Sequence, residues 1–191
     1  IIGYEDIFVK RRASDLITYY KRMYVPNNIV LAIVGDLDID MTKVLVDEIF
    51  GKVERGIVPD TPRPEEPRQL AKREIEHIDD VSLAYFGLGY RSVDIANPDL
   101  FALDVLALIM GDGSSSILNQ KLYVEKELLY SVGVWNYTPK DPGIFIISGV
   151  CDPDKLDTVL EEIDNEIELI KSDGIAEKDL EKVKNSVLTS Y

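Results

Sequence analysis

The sequence predicts an α+β fold in which a mixed or antiparallel sheet is covered by helices. Residues 128–135 and 143–150 have the composition of two strands, and the turn-rich segment between them indicates a β-hairpin. Residues 156–170 repeat apolar side chains at helical spacing. A β-branched run at residues 29–34 adds a further strand. Hairpin strands mixed with helices are typical of the α+β class.

The first part of the chain contains two predicted helices around one predicted strand. Ser14, followed by Asp15 and apolar residues at helical spacing, predicts a capped helix that Pro26 ends. Residues 29–34 are almost continuously apolar, which is typical of a strand buried on both faces. Asp40 is the predicted cap of the second helix. The predicted inner face of that helix comprises Val44, Leu45, Ile49 and Phe50.

A proline-rich crossover follows. Four of the nine prolines fall within residues 51–74, where they alternate with charged residues and indicate an extended segment. Residues 75–90 predict a strand that two glycines interrupt. The sequence Asn97-Pro98-Asp99 then predicts the start of a helix. We expect this helix to be buried because it is apolar almost all round. Its apolar residues are Leu100, Leu103, Leu106, Ala107 and Met110.

Residues 111–116, with the sequence Gly-Asp-Gly-Ser-Ser-Ser, separate this helix from another predicted at residues 116–127. Free amides at a helix start can hold an anion, but the segment lacks the lysine of a phosphate-binding loop, so a tight turn is favoured. The helix after the hairpin is amphipathic and ends at Gly174, and a last helix begins near Ala176. We expect the acids of the helix after the hairpin to form a solvated surface. They are Glu161, Glu162, Asp164 and Glu166.

Composition and charge exclude several classes of protein. The 191 residues include 35 acidic and 21 basic side chains, so the formal net charge is −14. The electrostatic field of such a negatively charged chain repels polyanions, and nucleic acid is therefore excluded as a partner. No apolar run approaches the roughly 20 residues of a membrane span. A single cysteine, Cys151, excludes an intrachain disulfide framework and slightly favours the cytoplasm over the periplasm.

Few side chains suit metal or nucleophilic chemistry. The chain has one histidine, His77, whereas catalytic zinc takes three protein ligands that commonly include at least two histidines. We therefore predict no metal ligand and no catalytic residue here. His77 is interpreted as a surface residue, and Cys151 as a packed side chain. Tyr130 is the one substrate-binding candidate, since its hydroxyl can donate to a substrate carbonyl, although the residues alone favour packing of its ring.

Three motifs occur in order along nearly the whole chain. The first combines Ile2-Gly3-Tyr4-Glu5, Ser14-Asp15-Leu16, Tyr24-Val25-Pro26-Asn27-Asn28 and Gly35-Asp36. The second is the glycine-rich turn at residues 111–116 with Leu118 and Leu122 after it. The third is Leu128-Leu129-Tyr130-Ser131-Val132. Together they resemble the pitrilysin/insulinase family of zinc peptidases, which includes the mitochondrial processing peptidase.

The resemblance implies a modular enzyme. In this family each half holds two similar α/β domains, two halves close around a peptide, and an H-x-x-E-H motif with a distant Glu holds zinc in the first domain of one half. This sequence contains no H-x-x-E-H. It therefore resembles a second, C-terminal-type domain spanning residues 14–191, with residues 1–13 ending a preceding segment. The initial Ile1, and a last helix that runs to Tyr191 without a stop signal, predict a truncated piece of a longer polypeptide.

The family also places an Arg–Tyr pair in the half without metal, with the Arg seven residues before the Tyr. Tyr130 matches that Tyr, but Tyr123 stands at the Arg position. A neutral phenol cannot make the bidentate contact of a guanidinium. The resemblance therefore implies either a domain of the metal-bearing half or a family member without catalytic activity.

The leading hypothesis is the non-metal-binding domain of a zinc metallopeptidase. The parent would hold the zinc elsewhere and hydrolyse peptides, while this domain contributes to the substrate chamber and to the interface between halves. The expected partners are a peptide substrate and another half or subunit of the same family. The alternatives are a catalytically inactive partner or core subunit with an assembly role, and a stand-alone ligand-binding α+β module.

Overall fold

The computed structural model describes residues 3–59 and 67–189, which belong to two compact units, Ile1–Glu66 and Pro67–Tyr191. Within the predicted crossover, Pro62 and Pro64 lie outside the described residues. The described parts of residues 51–74 contain neither helix nor strand, and the extended crossover stays a prediction. The division into residues 1–13 and 14–191 stays a prediction.

The first unit contains α1 (Glu5–Phe8), α2 (Ala13–Met23) and α3 (Ile39–Phe50). Both predicted helices are present, and each begins slightly earlier than predicted. Arg12 rather than Ser14 precedes α2, and its main-chain N–H donates to the Asp15 carboxylate at 2.9 Å. Asp38 rather than Asp40 caps α3 by accepting a hydrogen bond from the main-chain N–H of Met41. The caps follow the local hydrogen bonds, which sequence places only to within a few residues.

Residues 29–34 do not form the predicted strand. Within the described residues they pair with no other strand, and the side chains of Val30 and Val34 are 96% exposed. The residues of the predicted inner face of α3 are exposed as well. Apolar side chains favour burial, but a strand forms only where a neighbour accepts its main-chain hydrogen bonds. The apolar pattern predicted a buried strand, and in the described structure these residues are exposed and form no strand.

The second unit is built on an antiparallel sheet. Its strands within the described residues are β1 (Ala84–Arg91), β2 (Leu129–Tyr137) and β3 (Ile144–Cys151), in the order β1-β3-β2. β2 and β3 are the predicted hairpin. The strand predicted at residues 75–90 forms only from Ala84 onward. An antiparallel sheet with helices packed against it confirms the predicted α+β class.

The helices of this unit are α4 (Leu100–Gly111), a π-helix (Asn119–Glu125), α5 (Leu156–Asp173) and α6 (Glu177–Thr189). The side chain of Asn97 accepts from the N–H of Asp99 at 2.9 Å, just before α4 begins. Gly174, with φ 77°, ends α5 in a conformation that favours glycine. Among the described helices, none is long and apolar enough to cross a membrane.

An apolar core lies between the sheet and these helices. Gly111, at the end of α4, lets this helix approach β2 closely, since a Cβ there would lie 2.5 Å from the main-chain N of Val134. Each fully buried aliphatic side chain contributes about 1.5–3 kcal/mol relative to an exposed one. The fully buried members of the core include Leu118, Leu122, Ile147, Cys151, Val159 and Ile163.

One acid of the predicted solvated surface is buried. Glu166 is 6% exposed, and its carboxylate accepts a hydrogen bond from Lys121 Nζ at 2.6 Å. Glu162 forms an ion pair with Lys126 on the same side of α5. The prediction is wrong for Glu166 because the spacing of acids on one helix does not show which cation a neighbouring helix places over them.

Candidate functional site

Tyr130 lies on the surface at the start of β2. Its side chain is 56% exposed, and its hydroxyl donates to Oδ1 of Asp152 at 2.9 Å. The hairpin register brings these residues together, because Leu129 pairs with Cys151 and Asp152 directly follows β3. The residues alone favour packing of the Tyr130 ring in the core or on the sheet, and this exposure excludes the core.

Lys155 completes a surface group that we call the tyrosine cluster: Tyr130, Asp152 and Lys155. Lys155 Nζ lies 3.0 Å from Oδ2 of Asp152 and donates to the main-chain oxygen of Glu127 at 3.3 Å. The hydrogen bonds from Lys155 and then Tyr130 lower the pKa of Asp152. Hydrogen bonding to Asp152 raises the pKa of Tyr130 and of Lys155. At neutral pH the cluster therefore holds a carboxylate, an ammonium group and a neutral phenol.

His77 and Cys151 lie where the sequence analysis places them. The His77 side chain is exposed, with Nε2 3.9 Å from Oδ2 of Asp79. Cys151 is fully buried, and burial raises the pKa of its thiol. Within residues 3–59 and 67–189, no three His, Cys, Asp or Glu side chains are grouped so that they could hold a metal ion. The described residues therefore do not fit a catalytic zinc site.

Residues 111–116 form the tight turn that the sequence favoured over an anion site. Gly113 has φ 72°, and the buried Ser116 hydroxyl donates to the main-chain oxygen of Gly113 at 2.9 Å. Asn119 donates to the same hydroxyl at 2.8 Å. Gln120 and Lys182 donate to the main-chain oxygens of Ser114 and Ser115, each at 2.6 Å, and the turn connects α4 to the π-helix.

The sheet also presents an open face. Tyr85 is 70% exposed and Trp135 is 45% exposed, whereas the alternate residues Phe86 and Val132 pack against the core. Ser148 pairs with both Gly87 and Gly133, so a row of small residues crosses the sheet at this level. The open sheet face is defined by Tyr85, Gly87, Gly133, Trp135, Tyr137 and Ser148. Aromatic rings beside accessible backbone suit an extended chain with apolar side chains.

Sequence reasoning missed Asp152 and Lys155. Both belong to a segment that reads as an ordinary turn, Asp152-Pro153-Asp154-Lys155. The predicted hairpin contained the missing signal, since its register places the end of the second strand beside the start of the first. The register pairs Leu129 with Cys151 and Ser131 with Val150, so Tyr130 lies in a bulge next to the pair that Asp152 follows.

Comparison with known proteins identifies the family. Residues 12–187 match the model of the peptidase M16 inactive domain, and the chain belongs to this family. The match confirms the resemblance to zinc peptidases seen in the sequence motifs. The chain is thus an inactive C-terminal-type domain of zinc protease-like proteins.

Individual relatives agree with this assignment. Zinc protease PqqE of Helicobacter pylori is 28% identical over 189 residues, which are 96% of this chain and 42% of that protein. The crystal structure of a protease from Helicobacter pylori superimposes with a TM-score of 0.89 at 26% identity, covering 99% of this chain and 47% of that one. A non-peptidase homolog, YmxG of Helicobacter pylori, is 24% identical over 69% of this chain and 30% of that protein. The chain spans less than half the length of each.

Proposed function

We propose that this chain is the domain of a zinc metallopeptidase that shapes the substrate chamber and the interface between halves, without binding the metal. The family match over residues 12–187 is the observation that carries the proposal. The zinc would be held by residues outside this chain, where it would activate water for hydrolysis of the peptide bond. The substrate of the whole protein is then a peptide, and its partner is another half or subunit of the same family.

Two surfaces of the second unit support a role in the chamber. The open sheet face offers Tyr85 and Trp135 to apolar side chains of a bound peptide. The tyrosine cluster offers a neutral phenol at the end of the same strand as Trp135. The net charge of −14 favours substrate segments that carry lysine or arginine.

The first test uses the full-length protein and an unfolded fluorogenic peptide. We expect hydrolysis that a zinc chelator abolishes and added zinc restores, and no hydrolysis by the 191-residue chain alone. Trp135→Ala should raise KM about tenfold, because an aromatic contact in the chamber is lost. Phe101→Ala is the matched control, since this exposed aromatic lies on α4 rather than on the open sheet face. Cleavage by the isolated chain, or equal KM changes in both variants, would contradict the proposal.

A partner subunit without catalytic activity is the second candidate. The match to a protein named a non-peptidase homolog favours it, as does Tyr123 at the position where the family's pair has Arg. In that case the full-length protein would hydrolyse no peptide by itself and would restore activity to another family member on mixing. Size-exclusion chromatography of the mixture, together with the peptidase assay, separates the two candidates.

A further inference from the structure

A cavity of about 770 Å³ lies at the end of β1, within the second unit. Its walls are residues 68–71 of the stretch before β1 and residues 89–94 at the end of that strand, together with Pro142 from the connection between β2 and β3. Because β1 is antiparallel to β3, this end of β1 pairs with the start of β3, at Ile144. The tyrosine cluster lies beside the end of β3, so the cavity and the cluster occupy opposite ends of the sheet.

Hydrogen bonds hold one wall of the cavity to the hairpin. The main-chain N–H of Ser92 donates to the oxygen of Gly143 at 2.9 Å, and the N–H of Gly143 donates to the oxygen of Val93 at 3.1 Å. The Ser92 side chain is buried, and its hydroxyl donates to Oδ1 of Asn136 at 2.5 Å. Asn136 in turn donates to Oδ1 of Asp104 in α4 at 2.8 Å. The backbone at the end of β1 is therefore fixed by contacts to both the hairpin and α4.

Two arginines line this cavity. Among the described residues, neither Arg68 nor Arg91 lies within ion-pair distance of an acid. Nη1 of Arg91 donates to the main-chain oxygen of Pro67 at 3.4 Å, next to Arg68 in the sequence. A guanidinium group has five N–H donors, so most of the donors of both side chains stay available to a ligand. Lysines of the same unit do pair with acids: Lys72, Lys121, Lys126, Lys155 and Lys171.

The cavity carries positive charge on an acidic molecule. Asp94 is the one acid among the described residues that line it, and its Oδ1 accepts a hydrogen bond from the main-chain N–H of Ala96 at 2.9 Å. Two guanidinium groups thus share the lining with one carboxylate, although the formal net charge of the chain is −14. The planar fork of a guanidinium group matches the oxygens of a carboxylate or a phosphate. An oxyanion is therefore the group that this cavity suits.

The rest of the lining and the net charge favour a carboxylate over a phosphate. Leu70, Val93 and Pro142 give the cavity an apolar part beside the arginines. The negative field of the whole chain penalises a phosphate, which carries more than one negative charge, more strongly than a carboxylate, which carries one. A single carboxylate next to an apolar side chain fits both conditions.

We propose that Arg68 and Arg91 bind the carboxylate of a peptide segment in which an apolar residue adjoins the acidic group. The peptide as carrier of that group rests on the proposed function, whereas the carboxylate site rests on the cavity itself. The acidic group is an Asp or Glu side chain or the C-terminal carboxylate, which share the same chemistry. The net charge of the chain favours basic segments in general, so this cavity selects one acidic position within such a segment.

The carboxylate site is tested by NMR of the full-length protein with labelled arginine side chains, assigned from Arg68→Gln and Arg91→Gln. The ligand is acetyl-Leu-Glu-amide, and acetyl-Leu-Gln-amide is its neutral control. We expect the Nε–H resonances of Arg68 and Arg91 to shift saturably with the glutamate dipeptide alone, while that of Arg73, outside the cavity lining, stays in place. Acetyl-Ala-Leu with a free carboxylate shows whether a C-terminus binds as a side chain does. Equal shifts with the glutamate and glutamine dipeptides, shifts with inorganic phosphate alone, or no shift with any carboxylate would overturn the site.

The peptide as carrier is tested by fluorescence anisotropy with a labelled basic peptide that contains one Leu-Glu step, on the full-length protein with a chelator that prevents turnover. We expect Arg68→Gln and Arg91→Gln each to weaken binding about fivefold. Arg73→Gln is the matched control, because it removes the same charge outside the cavity lining. Equal losses in all three variants would reveal a general effect of charge and overturn the site. If the wild type binds no peptide, the proposed function and the carrier both fail, whereas the dipeptide titration still decides the carboxylate site.

Discussion

Cys151, the last residue of β3, and Asp152, which follows it, show how position decides the chemistry of a side chain. Cys151 is fully buried beside the core, whereas Asp152, one residue later, is bonded to Tyr130 and Lys155 on the surface. Burial raises the pKa of the Cys151 thiol, and the nearby Asp152 adds to this effect. A thiol in such surroundings is a packing residue, as its sequence context predicts.

Cys151 should therefore resist thiol reagents in the folded protein. Its raised pKa keeps the thiolate fraction small near pH 8, and its burial keeps the reagent away. We expect no colour development with a disulfide reagent under native conditions and one equivalent per chain in denaturant. Rapid modification of the native chain would contradict the buried location. Cys151→Ser, which leaves no thiol in this chain, gives the baseline.

Sequence reasoning identifies a candidate residue when its own type and motif are sufficient. It fails when the surroundings of the residue depend on contacts between two elements. Tyr130 could be identified as a binding candidate because its residue type and its motif can be read from the sequence. Its exposure and its bond to Asp152 could not, because they depend on the bulge that displaces it from the ladder. The burial of Glu166 likewise depends on Lys121 from the π-helix.

At the scale of elements, the contact between α4 and β2 depends on the missing side chain of Gly111. A Cβ at this position would lie within 2.6 Å of the Val134 side chain and main chain. Backbone atoms of a paired strand cannot move aside as the end of a flexible side chain can. The helix must therefore shift if this space is filled.

Gly111→Ala should lower the free energy of unfolding by about 1–3 kcal/mol. Gly87→Ala is the matched control, because a Cβ there meets nothing within 4 Å and its φ is not positive. Alanine at position 87 should be neutral or stabilise by up to about 1 kcal/mol. Urea unfolding followed by circular dichroism measures both. Equal losses in the two variants would contradict the close packing of α4 on β2.

Most helices and the hairpin are predicted well from the sequence because their signals are local, although α2 and α3 begin slightly earlier than predicted. Asn97 and Asp99 define the start of α4, and Gly174 ends α5. The strand prediction at residues 29–34 fails for the opposite reason, since a strand depends on a partner strand that is distant in the sequence. The π-helical form of residues 119–125 also has no signal in the apolar spacing that predicted an ordinary helix.

As a whole, the chain is two compact units, and the second begins with a stretch that contains neither helix nor strand. Residues 67–83 contain neither helix nor strand, and Leu70 and Ile75 are almost fully exposed. The Lys72 side chain lies between them and is 79% exposed. Proteases select exposed backbone that lies outside helices and strands.

Brief digestion with trypsin should cut first at Lys72 or Arg73. The expected product carries β1 through α6 and stays folded, because the core of the second unit lies entirely within it. Mass spectrometry identifies the cut, and circular dichroism of the product reports its fold. Lysines within the helices are the internal control, with Lys171 of α5 and Lys182 of α6 cut later. Early cleavage at Lys171 or Lys182 would contradict the prediction that these helices resist trypsin longer than the stretch around Lys72.

The uncovered hexapeptide at residues 29–34 has a consequence for handling the protein. It is rich in β-branched residues, uncharged and free of proline, so copies from neighbouring molecules can stack into a cross-β assembly. Asp36, Asp38 and Asp40 follow at once and would bring like charges together in such a stack. Concentrated salt screens this repulsion, so dilute buffer is the condition that keeps the molecules apart.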